Sequence, residues 1–318
     1  MKKLIKLISI IVVVIGLIVF ISFVNHKIKL KKEDALFKTN GKIVEVNGHH
    51  LNVYLSGNPN SDFTLVFMSG AGTCSPTLDF KTLYALFEKD YQIAVVEKAG
   101  YGFSDISDIS RDIDTILFET RESLNQAGVT NHKYILFPHS MSGIEALYWA
   151  NKYPNEIKGI VGLDLSVPAA YQNTQINTFL LSAAKFGADI GLTRFLPYLV
   201  DSSSAIKDGN LTEEEKELYR VIFYRRTATT SMINEAKTIK ANAKKLEEVD
   251  TTNVPMLFFI SNGDGTGYSK EEWRSFGVGY LANKQNGKYQ FLDCSHYVHN
   301  IAYQQIYEES IKFINQLK

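Results

Sequence analysis

Cysteine is nearly absent from this sequence. Two residues, Cys74 and Cys294, cannot form a disulfide framework or a cysteine-based metal cluster. Both read as small buried hydrophobes, and no metal or cofactor is expected. Clustered positive charge is missing outside the first 32 residues, which hold seven lysines (2, 3, 6, 27, 29, 31 and 32) and no acid. Taking those seven from the 34 Lys and Arg leaves 27 against 34 acids, a net charge of −7 for the rest of the chain. Phosphate recognition needs basic patches, so the charge distribution argues against nucleic acid as a partner. Internal repeats and low-complexity tracts are also lacking.

One long hydrophobic run is present. Leu7 to Val24 is interrupted only by Ser9, Gly16 and Ser22. Its 18 residues would span about 27 Å as a helix, close to the roughly 30 Å hydrocarbon core of a bilayer. A cleaved signal peptide would have a shorter apolar region ending in a small-x-small site, and residues 20–26 offer none. The run is read as an uncleaved N-terminal anchor. Lysines flank it on both sides, so the positive-inside rule barely discriminates. The expectation is a globular domain on the extracytoplasmic side.

Residues 25–40 read as a charged, solvated connector. Two alternating segments around Asn47-Gly48, 42–46 and 51–55, then predict a β-hairpin. Apolar strand-type runs follow at 64–68, 91–96, 134–138, 157–163, 255–260 and 288–292. Helical patterns separate the earlier ones, at about 76–87 and 111–127 and after the run at 134–138, and a closing helix runs from about Asn300 to Leu317. Strands that are apolar throughout and alternate with helices indicate a mostly parallel sheet covered on both faces. From Pro168 to about Asp250 the alternation stops in favour of amphipathic helix, including an acidic helix start at Thr212-Glu213-Glu214-Glu215. This reads as a helical cap inserted after the sixth strand. The expected organisation is therefore an anchor (1–32), a core (33–167), a cap (168–250) and the rest of the core (251–318).

The stretch from Tyr134 to Leu147 passes from strand to helix around Pro138-His139-Ser140-Met141-Ser142. A serine at such a corner sits on a strained turn with its hydroxyl exposed. The usual pattern is Gly-x-Ser-x-Gly; here Pro138 and Ser142 replace the glycines, and Gly143 follows. Three other loops at the carboxyl ends of strands hold suggestive residues, where open α/β sheets place their sites. Gly70-Ala71-Gly72 can turn backbone N–H groups towards a developing oxyanion, with Met141 N–H as the second donor. Asp264 lies in Asn262-Gly263-Asp264 after the seventh strand, and His296 follows the last strand.

From about Gly41 onward the chain resembles the α/β-hydrolase family with a helical cap. The order Ser140, Asp264, His296 is that family's order. Glu97-Lys98-Ala99-Gly100-Tyr101-Gly102-Phe103-Ser104 resembles its Asp-Arg-x-Gly-x-Gly-x-Ser loop, altered at the first two positions. Pro255-Met256-Leu257 with Gly263-Asp264 resembles its acid-bearing stretch, and Ser295-His296 its Gly-His. Ser69 stands where the family's oxyanion loop usually has a His. The resemblance implies Ser140 as nucleophile, His296 as base, Asp264 as orienting acid, and Ala71 and Met141 as oxyanion donors. Asp164, after the sixth strand, is the rival acid, because some relatives use that position. Its expected task is a hinge at the start of the cap.

A serine nucleophile disfavours epoxide opening and halide displacement, for which relatives place an Asp at the elbow. Ester, thioester or amide hydrolysis through an acyl-enzyme remains, with a carboxylic ester preferred. The expected partners are a small, apolar acyl substrate and a membrane. Phe179, Leu180, Phe186, Phe195, Leu196, Phe223 and Tyr224 either line an acyl pocket or pack the cap against itself. The alternatives are an aminopeptidase of the proline iminopeptidase type, whose His-Gly-Gly-Pro-Gly loop is absent, and a non-catalytic anchored binding protein.

Overall fold

Each of the eight strand-type runs becomes a strand of one sheet. The computed structural model describes residues 1–317. The strands are β1 (Lys42–Val46), β2 (His49–Gly57), β3 (Thr64–Met68), β4 (Gln92–Glu97), β5 (Tyr134–Pro138), β6 (Ile157–Leu163), β7 (Met256–Ile260) and β8 (Gly287–Phe291). Their spatial order is β1-β2-β4-β3-β5-β6-β7-β8. β2 runs antiparallel to both β1 and β4, whereas β3 to β8 are mutually parallel. β3, β4, β5 and β7 are buried at every position, which is why their sequences are apolar without alternation.

Eight longer helices complete the frame: α1 (Lys2–Glu33), α2 (Ile113–Gln126), α3 (Ser142–Lys152), α4 (Thr178–Asp189), α5 (Glu213–Arg226), α6 (Thr230–Val249), α7 (Lys270–Leu281) and α8 (Tyr303–Asn315). Side-chain alternation along β3 separates two cores. Val66 and Met68 join Leu117 of α2, Ile144 and Leu147 of α3, Leu246 of α6 and Trp273 of α7. Leu65 and Phe67 point the other way, to Phe80, Leu83, Phe87 and Ile306, Phe313 and Ile314 of α8. The sheet is thus covered on both faces. Asp112 caps α2 by accepting from the N–H groups of Asp114 and Thr115, and Thr212 with Glu215 forms a capping box on α5.

Three local expectations change. The helical pattern at 76–87 is broken at Phe80 into two single turns, Pro76–Asp79 and Lys81–Tyr84. Residues 25–33 are no solvated connector, because α1 continues unbroken to Glu33 and buries Ser22 and His26. α7 fills a stretch with no helical expectation, although Ser269 accepts from Glu272 N–H as its N-cap.

Between β6 and β7 the elements are all helical, from the single turn Pro168–Tyr171 to the end of α6. This insertion is tied to the sheet by a buried ion pair, Lys98 Nζ donating to Glu235 Oε1 on α6. Tyr101 Oη donates to Glu235 Oε2 at 2.6 Å. The altered second position of the Glu97-Lys98 loop therefore has a structural task. Glu97 has another, accepting from Asn52, Thr77 and the Phe103 N–H at the start of the loop.

Removing one partner of a buried pair leaves the other charge uncompensated, at a cost of about 3–5 kcal/mol. Glu235→Ala should therefore lower unfolding free energy by that amount, measured by denaturant titration of the full chain in detergent. A change below about 1 kcal/mol, the range of an exposed pair, would show that the contact does not hold insertion and sheet together.

Candidate active site

The elbow serine is held in an unusual backbone conformation. Ser140 has φ of 54°, in the left-handed region that non-glycine residues rarely adopt. Its carbonyl accepts from Gly143 N–H at 3.0 Å and Ser166 N–H at 2.8 Å, which fixes the turn. Ser142, in place of the second glycine, points its hydroxyl back to Met68 O at 2.6 Å and His139 O at 2.9 Å. The close approach falls instead at Gly143, where a side chain would run into Ser166 and Leu165. Gly70 is equally constrained: a Cβ there would sit 2.6 Å from Ser140 Cβ.

Ser140 and His296 line one cavity of about 490 Å³, with Ala71, Ser166, Tyr171 and Trp273 among the other walls. That volume suits a small ligand. His296 Nδ1 donates to Asp164 Oδ2 at 2.6 Å, leaving Nε2 as the nitrogen free for chemistry. Asp164 Oδ1 accepts from Ser261 N–H and from Trp273 Nε1, each at 2.7 Å. The carboxylate is buried, and its residue too has a positive φ, 51°.

The acid expectation is corrected here. Asp264 does not reach His296; it is exposed, and its side chain accepts from Asn262 Nδ2 at 3.1 Å while its N–H donates to Asn262 Oδ1. The turn chemistry of Asn262-Gly263-Asp264 consumes the side chain locally. Only the Asp264 backbone carbonyl serves the site, accepting from His296 N–H at 2.9 Å. Asp164, expected to bond backbone at the start of the insertion, does accept from the Ser261 N–H, and its other oxygen faces the His296 ring. The N–H groups of Ala71 and Met141 donate to no protein group among the described residues, so both stay available beside Ser140.

Sequence reasoning overlooked two contributors. Trp273 was hidden because α7 was not anticipated; the Ser269-x-x-Glu272 capping signature was the available signal. His139 is buried directly beneath the catalytic candidates, its ring centroid 4.6 Å from His296 and 4.7 Å from His299. Its Nε2 donates to His296 O at 3.2 Å. Below it, His299 Nε2 donates to the buried Asp79 at 2.8 Å. The two cysteines stay thiols: burial pushes Cys74 up to about 12 and Cys294 up to about 11.

The aromatic residues expected to line an acyl pocket do not reach the cavity. Phe223 and Tyr224 pack against a satellite core, whereas Phe179, Leu180, Phe186, Phe195 and Leu196 face outwards. Neither alternative set out for them describes these five.

Known proteins resemble this chain in sequence and in fold. The family described as serine aminopeptidase S33 matches residues 59–276. YbdG of Bacillus subtilis (strain 168) is 34% identical over 323 residues, covering 99% of this chain and 98% of its own. Among solved structures, Cfl2 of Burkholderia cenocepacia superposes with a TM-score of 0.65 at 15% identity, covering 86% of this chain and 95% of that one. The thioesterase domain from the curacin biosynthetic pathway gives 0.61 at 16% identity, over 86% and 99%.

Burial, reinforced by the neighbouring His296 and His299, holds the His139 imidazole well below its ordinary value. The folded chain therefore keeps this ring neutral where the unfolded chain, with a pKa of about 6.5, takes up a proton. More protons on the unfolded state mean that stability falls with acidification, by up to about 1.4 kcal/mol per pH unit below about pH 6.5. The stability difference between wild type and His139→Asn, from urea unfolding at pH 7 and pH 5, should shrink accordingly. A pH-independent difference would mean that His139 takes up its proton as readily in the folded chain as in the unfolded one.

Proposed function

The chain belongs to the serine aminopeptidase S33 family of α/β-hydrolases, and from that premise we propose that it hydrolyses a carboxylic ester through an acyl-enzyme on Ser140. The observation that carries this reading is the 2.6 Å bond from His296 to buried Asp164, on the same cavity as the strained Ser140. Ser140 Oγ attacks the ester carbonyl, and His296 Nε2 accepts its proton. Asp164 holds the ring in the tautomer that can do so and stabilises the imidazolium. The N–H groups of Ala71 and Met141 receive the oxyanion. Collapse releases the alcohol with the proton returned by His296, and a water repeats the sequence on the acyl-enzyme.

The family description favours a second reading, removal of an amino-terminal residue. An aminopeptidase must hold a substrate ammonium, and no carboxylate is among the residues lining the cavity. Its walls are hydroxyl, glycine and aromatic groups, including Tyr171, Tyr268 and Tyr297, which suit an uncharged acyl group. The ester is therefore preferred over the aminoacyl amide.

We also propose that α1 remains attached and anchors the chain, with the domain on the extracytoplasmic side. α1 is long and apolar enough to cross a membrane. What favours an anchor over a removable signal is its continuation into the fold. Arg194 donates two bonds to Glu33 at 2.7 and 2.8 Å, and its side chain is only 3% exposed. Cleavage near residue 25 would remove Ser22, whose Oγ donates to Ile190 O of the insertion at 2.6 Å, and cut α1 next to His26, whose Nδ1 accepts from Arg194 at 2.8 Å.

Ser140→Ala should abolish labelling by a fluorophosphonate probe and reduce kcat on nitrophenyl esters by about 10⁶. Asp164→Asn should cost about 10⁴ in kcat with folding intact, while Asp264→Asn changes it by less than about tenfold. Retained turnover in the serine variant would exclude the acyl-enzyme route, and faster cleavage of aminoacyl amides than of esters would select the aminopeptidase. For the anchor, the protein should stay with membranes through carbonate extraction. A soluble form with a new N-terminus near residue 25 would refute it, and protease accessibility on intact cells reads the orientation.

A further inference from the structure

We infer that the outward apolar surface of the helical insertion is a second membrane-binding element, resting in the headgroup–acyl boundary of the bilayer that α1 crosses. This rests on the anchor reading above and extends it from a tethered domain to a docked one.

The insertion exposes large apolar side chains that the fold leaves uncovered. Phe179 is 82% exposed, Leu180 63%, Phe195 60% and Phe186 56%, with Leu196 and Tyr198 beside them in sequence. They belong to α4 and to the turns that follow it, Leu192–Phe195 and Tyr198–Asp201. A contiguous stretch of this kind on a soluble surface signals a partner. The contacts of α1 say which partner. Ser22 Oγ donates to Ile190 O at 2.6 Å, at the end of α4. Ser22 lies two residues before the end of the apolar run, so at about 1.5 Å per residue it sits about 3 Å inside the run's boundary. Ile190 and the neighbouring Phe186, Leu192 and Phe195 are thus carried to the depth where hydrocarbon gives way to headgroups.

The depth is fixed by a packed joint. A Cβ on Gly191 would meet His26 Cβ at 2.5 Å, so the His26 side chain of α1 packs directly against the backbone of the insertion there. Arg194 donates to His26 Nδ1 at 2.8 Å as well as to Glu33, and its guanidinium lies 4.4 Å from the Tyr224 ring centroid. Arg225 pairs with Asp34 at 3.0 Å and donates to Leu30 O. Lys27, Lys29, Lys31 and Lys32 follow the run on α1, where they can meet anionic headgroups. Apolar side chains at the boundary, a tyrosine among them and lysines just outside, form the pattern of an interfacial helix.

The test uses the full chain reconstituted in anionic vesicles whose acyl chains are brominated near the headgroup end. Native Trp149 and Trp273 are buried and supply a constant background. Phe186→Trp and Phe195→Trp place a reporter on the proposed surface, Val12→Trp places one in the span, and Phe118→Trp places one on exposed α2 of the core. The expected result is loss of emission for Phe186→Trp and Phe195→Trp on the scale seen for Val12→Trp, with Phe118→Trp unquenched. Quenching of Val12→Trp alone would overturn the docked surface while leaving the anchor intact. Absence of quenching in all four would overturn both. Equal quenching of Phe118→Trp would show non-specific adsorption and overturn the assignment to this surface.

Discussion

Much of the site depends on the carboxylate of Asp164. It gathers hydrogen bonds from the His296 ring, the backbone after β7 at Ser261 and the indole of Trp273 on α7. One buried group therefore fixes the end of β6, the end of β7, a covering helix and the loop of His296 against each other. The positive φ of Asp164 costs on the order of 1 kcal/mol or more, and persists because those surroundings leave no alternative. Ser140, two strands away from β7 in the sheet, shows the same left-handed strain. Both residues aim a functional group off the end of a parallel strand, where the backbone must turn sharply to do so.

The sheet was legible because its strands are buried on both faces, and burial writes itself into unbroken apolar sequence. The elbow was legible for a related reason: Pro138 to Gly143 marks a strand that must become a helix within a few residues. The acid was not. Asp164 and Asp264 both follow strands, both precede turns, and both stand in the right chain order before His296. Their difference is the direction of one side chain, set by Asn262 capturing Asp264 and by α7 delivering Trp273 to Asp164. The insertion misled in another way, since apolar residues at helical spacing record burial without saying against what. For Phe179 and Phe195 the described residues leave most of the ring uncovered.

The insertion is attached at both ends of its polarity. Towards the sheet it is held by Lys98 and Glu235, which are buried and paired. Towards α1 it is held by Arg194 and Glu33, again with the guanidinium almost fully covered. Buried ion pairs add little net stability against apolar replacements, but they penalise every arrangement that separates them. Helix, insertion and sheet are accordingly set in one relative position by charge, while apolar packing supplies the gross stability.

The Gly70 contact bears on how this sequence can drift. With Ser140 Cβ 2.6 Å from where a side chain would begin, position 70 admits no substitution that leaves the elbow in place. Position 69 is free of that restriction: its serine is buried and its hydroxyl has no partner among the described residues, so nothing in the site leans on its identity. A change at position 69 therefore leaves the Gly70 backbone in its close approach to the elbow. The backbone beside Ser140 is thus insensitive to the side chain at position 69, and a sequence pattern keyed to that side chain would miss chains that fold the same way here.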